Sequence, residues 1–215
     1  MNKRLLHILY YYHDPMCSWC WGYRPTAEKL FASLPPNSRL EKVLGGLAPD
    51  SDEPMPQHLR IALPDAWRRI HAMLGTEFNF DFWTDCEPRR STYPSCRAVI
   101  AAGLQNHADE MIRAIQHAYY LRAMNPSDRE TLVTLAEELL LDKQRFVQDL
   151  KSTETEAELQ RQLDFTRRSP TNGFPSLAIE FDGQLVHVIQ DYKSHTKTLE
   201  HIAMLASEFD TSETS

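Results

Sequence analysis

The 215-residue sequence predicts an α/β protein: a strand–helix–strand unit, a long all-helical block, then a strand hairpin and a closing helix. Three observations carry that prediction. Residues 5–12 form a short aliphatic and aromatic run that stops at His13-Asp14-Pro15, and a helical pattern starts directly behind it. The middle hundred or so residues contain no convincing pair of strands. Near the end, Asp182-Gly183 stands between two apolar segments, a strong short-range hairpin signal.

Residues 5–12 read as a buried first strand. Met1-Asn2-Lys3-Arg4 ahead of apolar residues imitates an export signal, but His7 interrupts the run, tyrosines fill it, and no small-residue cleavage site follows. From Cys17 to about residue 34 the pattern is helical. Pro25 is expected to kink that helix rather than end it. Residues 39–44 alternate polar and apolar and read as a second strand, stopped by Gly45-Gly46. Strand, helix, strand is the start of a parallel unit with a right-handed crossover.

Residues 48–58, rich in Pro, Asp and Glu, mark the exit from that unit. Helical patterns then cover residues 55–74 (with Pro64 as a break), 96–105, 110–124, 128–140, 143–150 and 154–167. Asn125-Pro126-Ser127 and Ser152-Thr153-Glu154 are turn and cap signals between them. Residues 175–181 and 184–190 are the hairpin strands, residues 196–209 a final amphipathic helix, and 210–215 an expected frayed tail. The expected division is one domain of residues 1–50 and 168–215, carrying a helical insertion domain of residues 51–167.

The chemistry is concentrated where the first strand meets the first helix. Cys17 and Cys20 are three apart, so both sulfurs fall on one helical face about a turn apart, within reach of a short disulfide. A helix N-terminus offers unpaired N–H groups and the positive end of the dipole, both of which favour thiolate. An ordinary thiol is only about 3% ionised at pH 7. Making it roughly 90% thiolate requires about 3.4 kcal/mol, and a helix terminus supplies at most about 2 kcal/mol. Hydrogen bonds from the N–H groups of Trp19 and Cys20, with help from the Cys20 thiol, are expected to supply the rest. Cys17 is the candidate nucleophile, and Cys20, deeper in the helix, the candidate resolving thiol.

Composition narrows the partners. A net charge of −7 and the lack of a basic run argue against nucleic acid or an anionic membrane surface. No stretch of 18 apolar residues exists, so no membrane-spanning segment is expected. With no export signal the expected location is the cytoplasm, where structural disulfides are rare. A Cys-x-x-Cys there is catalytic or metal-binding before it is structural.

The order strand, Cys-x-x-Cys helix, strand, helical insertion, Phe174-Pro175, strand, Asp-Gly, strand, helix resembles the thioredoxin fold as modified in the DsbA-like family. Asp14-Pro15-Met16-Cys17-Ser18-Trp19-Cys20-Trp21-Gly22 is similar to the active-site signature of its signal-less, FrnE-like and protein-disulfide-isomerase branch. Gly173-Phe174-Pro175 is similar to the family's cis-proline loop. The resemblance implies a thiol-disulfide oxidoreductase that acts on thiol- or disulfide-containing proteins or small thiols. It implies no bound cofactor beyond the redox-active disulfide, with glutathione as a conceivable co-substrate. It places Ser18, Trp19, Phe174 and Pro175 against the substrate, with Trp19 and Trp21 as an apolar rim. Two departures follow from it. The buried acid often found six residues before the first cysteine is replaced by Tyr11, leaving His13 or Asp14 as substitutes in proton transfer. The dipeptide Ser18-Trp19 lacks the histidine of strongly oxidising relatives.

Plainer readings stand beside these. Cys17, Cys20, Cys86 and Cys96 are a possible zinc set for an adaptor protein, although the ten-residue gap between the last two is unusual. A glutathione-dependent isomerase or transferase of the kappa-class and chromene-carboxylate branch is a second alternative, and Cys20 argues against its single nucleophile. Cys96 reads as a small buried hydrophobe, with an accessory redox pair to Cys86 as the alternative. Trp67, His71, Tyr119 and Tyr120 read as helical core, Tyr10 to Tyr12 as strand packing, and Glu154 to Glu158 as a solvated helix start.

Overall fold

A computed structural model describes residues 7–36 and 38–212, so the expectations for residues 5, 6, 37 and 213–215 lie outside the described residues. Strand β1 (His7–His13) lies at the centre of a four-stranded sheet. Helix α1 (Ser18–Ala32) returns the chain to β2 (Ser38–Leu44), which pairs parallel to β1 with Tyr11 opposite Lys42. Strand β3 (Ser176–Phe181) pairs antiparallel on the other side of β1, with Leu9 opposite Ile179, and β4 (Gln184–Val188) completes the order β2-β1-β3-β4. Asp182 and Gly183 both take positive φ, 46° and 81°, the conformation a two-residue hairpin turn needs to match strand twist.

Strand alternation sets the layers. Leu9 and Tyr11 point to one face of the sheet, where they pack with Tyr23, Ala27 and Leu30 of α1 and Ile202 of α9 (His195–Ser212). Tyr12, Val43 and Ala178 point to the other face, against Phe165 of α8 (Thr153–Arg168) and Phe174. Ser152 caps α8 by accepting from the Thr155 N–H at 3.0 Å.

Between β2 and α8 the chain is helical throughout its regular elements: α2 (Gln57–Leu74), α3 (Phe82–Asp85), α4 (Tyr93–Gly103), α5 (Ala108–Leu121), α6 (Arg129–Glu138) and α7 (Lys143–Asp149). This is a mixed α/β architecture with a helical insertion, as the element pattern predicts. Trp67 sits in a cage of Phe78, Phe80, Phe82, Trp83, Tyr119 and Tyr120, with ring centroids 5.0–6.0 Å away. The same core extends to Met16 and Leu44, at the edge of the dithiol loop.

The boundaries differ from expectation in several places. Helix α2 runs through Pro64 without a break, because that proline is buried and one lost donor is outweighed by the packing around it. Helix α4 begins at Tyr93, three residues before Cys96, with Pro94 in its first turn where its missing N–H costs nothing. Helix α5 stops at Leu121, and Ala123 turns the chain with φ of 50°. Helix α9 continues to Ser212 instead of fraying at residue 210. His71 is exposed rather than core, and its Nδ1 meets the Thr76 carbonyl at 2.8 Å beyond the helix end.

Candidate active site: a dithiol at the mouth of a helix

Strand β1 ends at His13, and the turn Asp14-Pro15-Met16 delivers Cys17 to the N-cap of α1. Local bonds dictate that turn. The Cys17 N–H donates to the Asp14 carbonyl at 3.0 Å, and the Met16 N–H donates to Asp14 Oδ1 at 2.7 Å. Cys17 keeps an extended backbone (φ −82°, ψ 116°), so its sulfur faces back over the first helical turn and accepts from the Cys20 N–H at 3.3 Å. Both thiols are free; Cys17 is 5% exposed and Cys20 0%. Burial, and then the neighbouring Cys17 thiol, pushes Cys20 well above the usual thiol range.

The other wall comes from the loop before β3. The Phe174–Pro175 peptide is cis, and the Cys17 thiol donates to the Phe174 carbonyl at 3.3 Å. The Phe174 ring lies on Gly45 so closely that a Cβ there would fall 1.9 Å from it. Gly45 is itself held by donating to the His13 carbonyl at 2.7 Å. The Pro175 carbonyl accepts from Gln190 Nε2 at 2.7 Å. Ser18 and Trp19 occupy the first helical turn half-buried, and Trp19 meets Tyr192 edge-on with centroids 5.4 Å apart.

Cys17, Cys20, Ser18, Trp19, Phe174 and Pro175 are thus gathered at one end of the sheet. His13 and Asp14 diverge from each other. Asp14 Oδ2 accepts from the Leu47 N–H at 2.8 Å and from the Thr92 hydroxyl at 2.7 Å. Its carboxyl group wires the turn to the start of α4. Burial raises its pKa, and these bonds act in the opposite sense. The buried His13 ring stacks on Tyr11 at 5.1 Å, and burial lowers its pKa to about 3.

Three contributors carry no sequence signal as site residues: Thr92, Gly45 and Tyr120. The Tyr120 hydroxyl donates to the Met16 carbonyl at 2.7 Å, and its ring stacks on Trp21 at 5.7 Å. Only the long separations of these partners distinguish them from ordinary core residues. Cys96 is fully buried, 3.8 Å from Asp14 Oδ2, and Cys86 donates to the Ala123 carbonyl at 3.0 Å. Among the described residues no three His, Cys, Asp or Glu side chains cluster as metal ligands, so the four cysteines form no assembled zinc set. Alongside α1 a groove of about 730 Å³ runs past Trp21, Arg24, Glu77, His117 and Tyr192.

A profile of the family described as thioredoxin matches residues 10–200. Over 178 residues the chain is 26% identical to the ClpXP adapter protein SpxH of Bacillus subtilis, covering 81% of this chain and 58% of that protein. The SpxH of Halalkalibacterium halodurans is 24% identical, covering 90% and 66%. The chain therefore spans less than two thirds of the length of the curated relatives it matches. Among solved structures, a protein from Nitrosomonas europaea provisionally described as a protein disulfide isomerase superposes with TM-score 0.81 at 23% identity, covering 94% of this chain and 98% of that one. The cytosolic disulfide reductase DsbM of Pseudomonas aeruginosa superposes with TM-score 0.73 at 24% identity, covering 95% and 99%. At these identities the superpositions establish the fold. Among the described residues, no helix is long and apolar enough to cross a membrane.

Proposed function

The chain belongs to the thioredoxin family and has the fold of DsbA-type oxidoreductases; from that premise we propose that it is a thiol-disulfide oxidoreductase of the reductase or isomerase kind. One observation carries the reading: Cys17 is held at the helix mouth between a donor, the Cys20 N–H, and an acceptor, the Phe174 carbonyl. The first gives the Cys17 sulfur a backbone donor and the second orients the thiol toward the loop where a substrate chain would lie. Cys17 attacks a substrate disulfide and keeps one sulfur as a mixed disulfide; Cys20 then displaces it and closes the Cys17–Cys20 bond. Phe174 and Pro175 present the substrate backbone, and Ser18 and Trp19 tune the potential.

The substrates are disulfide-bearing polypeptides or small thiols, met in the cytoplasm. The Pseudomonas reductase is also described with GSH, which supports glutathione as the thiol that recycles this protein. Two thiols in contact favour this reading over a single-nucleophile glutathione isomerase. Insulin-disulfide reduction tests it: Cys17→Ser is expected to abolish turnover, and Cys20→Ser to accumulate mixed disulfides. Wild-type protein that exchanges disulfides in neither direction sinks the proposal. A second reading, a non-catalytic adapter, draws on the two SpxH relatives. Partner capture undiminished in a Cys17→Ser, Cys20→Ser double variant would favour it.

A further inference from the structure

Helix α2 turns an unusual face to solvent. At about 100° per residue, Ile61, Ala62, Asp65, Arg69, Ala72 and Met73 fall on one arc of the helix, and all six are exposed. Ile61 is 58% and Met73 41% exposed, and Phe80, whose ring lies 5.4 Å beneath the Arg68 guanidinium, widens the same apolar surface. The outer side of a surface helix is ordinarily polar. Helix α8, of similar length, follows that rule and meets water with charges paired along itself, Arg161 with Glu158 and Arg167 with Asp164.

The order of the residues on the α2 face is palindromic about Trp67. Asp65 and Arg69 stand at equal distances on either side of it, as do Ala62 and Ala72, and Ile61 and Met73. A second copy laid antiparallel on this helix, with a twofold axis at the level of Trp67, therefore brings Asp65 beside Arg69 of the second copy, and Arg69 beside its Asp65. Ile61 comes over Ala72 of the second copy and Met73 over its Ala62. Each large apolar side chain meets a small one, which lets the two helices approach closely.

We propose that this face of α2 is a self-association surface whose occupant is α2 of a second copy of the chain, packed antiparallel about that axis. The charges on it favour this occupant over others. Asp65 Oδ1 is bonded to Arg68 at 2.6 Å, which leaves Oδ2 for a further guanidinium. Arg69 has no acidic partner among the described residues. A uniformly acidic partner would meet Asp65, and a uniformly basic one would meet Arg68 and Arg69. A surface alternating at the same spacing answers both signs, and a second α2 supplies it. The net charge of −7 opposes association at long range. At about 0.1 M salt, however, charges more than about 10 Å apart are screened, so the pattern at the seam decides. Met73 also lines the groove beside α1, so the second copy stands at the rim of that groove. Association of this kind needs no redox chemistry, and the cysteines take no part in it.

Sedimentation velocity on the full chain tests the proposal, in about 0.1 M salt and with dithiothreitol present so that no intermolecular disulfide contributes. Wild type is expected to pass reversibly from monomer toward dimer between about 1 and about 200 μM, the range open to a modest interface. Asp65→Arg and Arg69→Asp each set like charges against one another at both ends of the seam and are expected to weaken dimerisation at least about tenfold. Mixed in equal amounts, the two variants restore both opposite pairs, and the mixture is expected to associate about as tightly as wild type. Ile61→Ser, which removes an apolar side chain from the seam, is expected to weaken dimerisation at least about tenfold as well. All three positions are exposed, and circular dichroism identifies the variants that keep the fold. A wild type that stays monomeric throughout overturns the proposal and leaves the face to a partner of other sequence. Folded single variants that dimerise as wild type does, or a mixture of the two charge variants that fails to associate, overturn it too.

Discussion

At the scale of single residues, the strongest electrostatic consequence falls on His13. The unfolded chain carries a histidine near 6.5, whereas burial in the fold holds His13 at about 3. Between those values the unfolded state binds one proton more than the native state, so stability must fall as pH drops through that window. The penalty is roughly 4–5 kcal/mol at most, fully developed near pH 3 and absent above about 7. Urea midpoints at pH 7 and pH 4 should therefore lie closer together in His13→Phe than in wild type. An equal gap in both proteins would show that the imidazole contributes nothing to acid sensitivity. The dithiol itself was legible, because Cys17 and Cys20 sit within one turn and a local spacing determines how they meet. What each neighbouring side chain does was not. His13 and Asp14 are adjacent in sequence, yet strand alternation and the turn send one to its stack on Tyr11 and the other to Thr92, 78 positions away.

At the scale of elements, the β2–α2 loop and the β3 loop act together through Gly45 and Phe174. A methyl group at 45 would have to displace the Phe174 ring, which lies 1.9–2.7 Å from where it would stand. Moving the ring moves the carbonyl that accepts from Cys17. Gly45→Ala is accordingly expected to cost about 1–3 kcal/mol of stability, as overpacked sites do, and to lower insulin-reduction activity. Chemical denaturation with a parallel activity assay checks both; unchanged activity would separate Gly45 from the site. Strand and helix identities followed from periodicity and turn chemistry, with Asp182-Gly183 the clearest case. Helix ends followed less well, since Tyr93, Leu121 and Pro64 obey packing against distant elements that a local pattern does not contain.

At the scale of the whole molecule, the helical insertion is bonded to the dithiol loop, not merely placed beside it. Thr92 of the loop before α4 donates to Asp14, Tyr120 of α5 donates to the Met16 carbonyl, and Trp21 Nε1 donates to the Glu77 carbonyl at 3.0 Å. A hydrogen bond to a buried carboxylate contributes about 1.5–3 kcal/mol, so Thr92→Val should lower unfolding free energy by about that amount. Because Asp14 precedes Cys17 by one turn, the same variant should also shift the reduction potential measured against glutathione. A stability loss with no change in potential would confine Thr92 to a packing role. The order of strands and the helical block could be read from the chain; these three ties could not, because each joins segments 56 to 104 residues apart.

The seat of Phe174 on Gly45 has a consequence for how such a protein can diverge. One locus supplies the space that the other consumes, so position 45 is not free to grow alone. A lineage that gains a side chain at 45 should already have lost bulk at 174, and the order of those two events is constrained: shrinkage first, growth second.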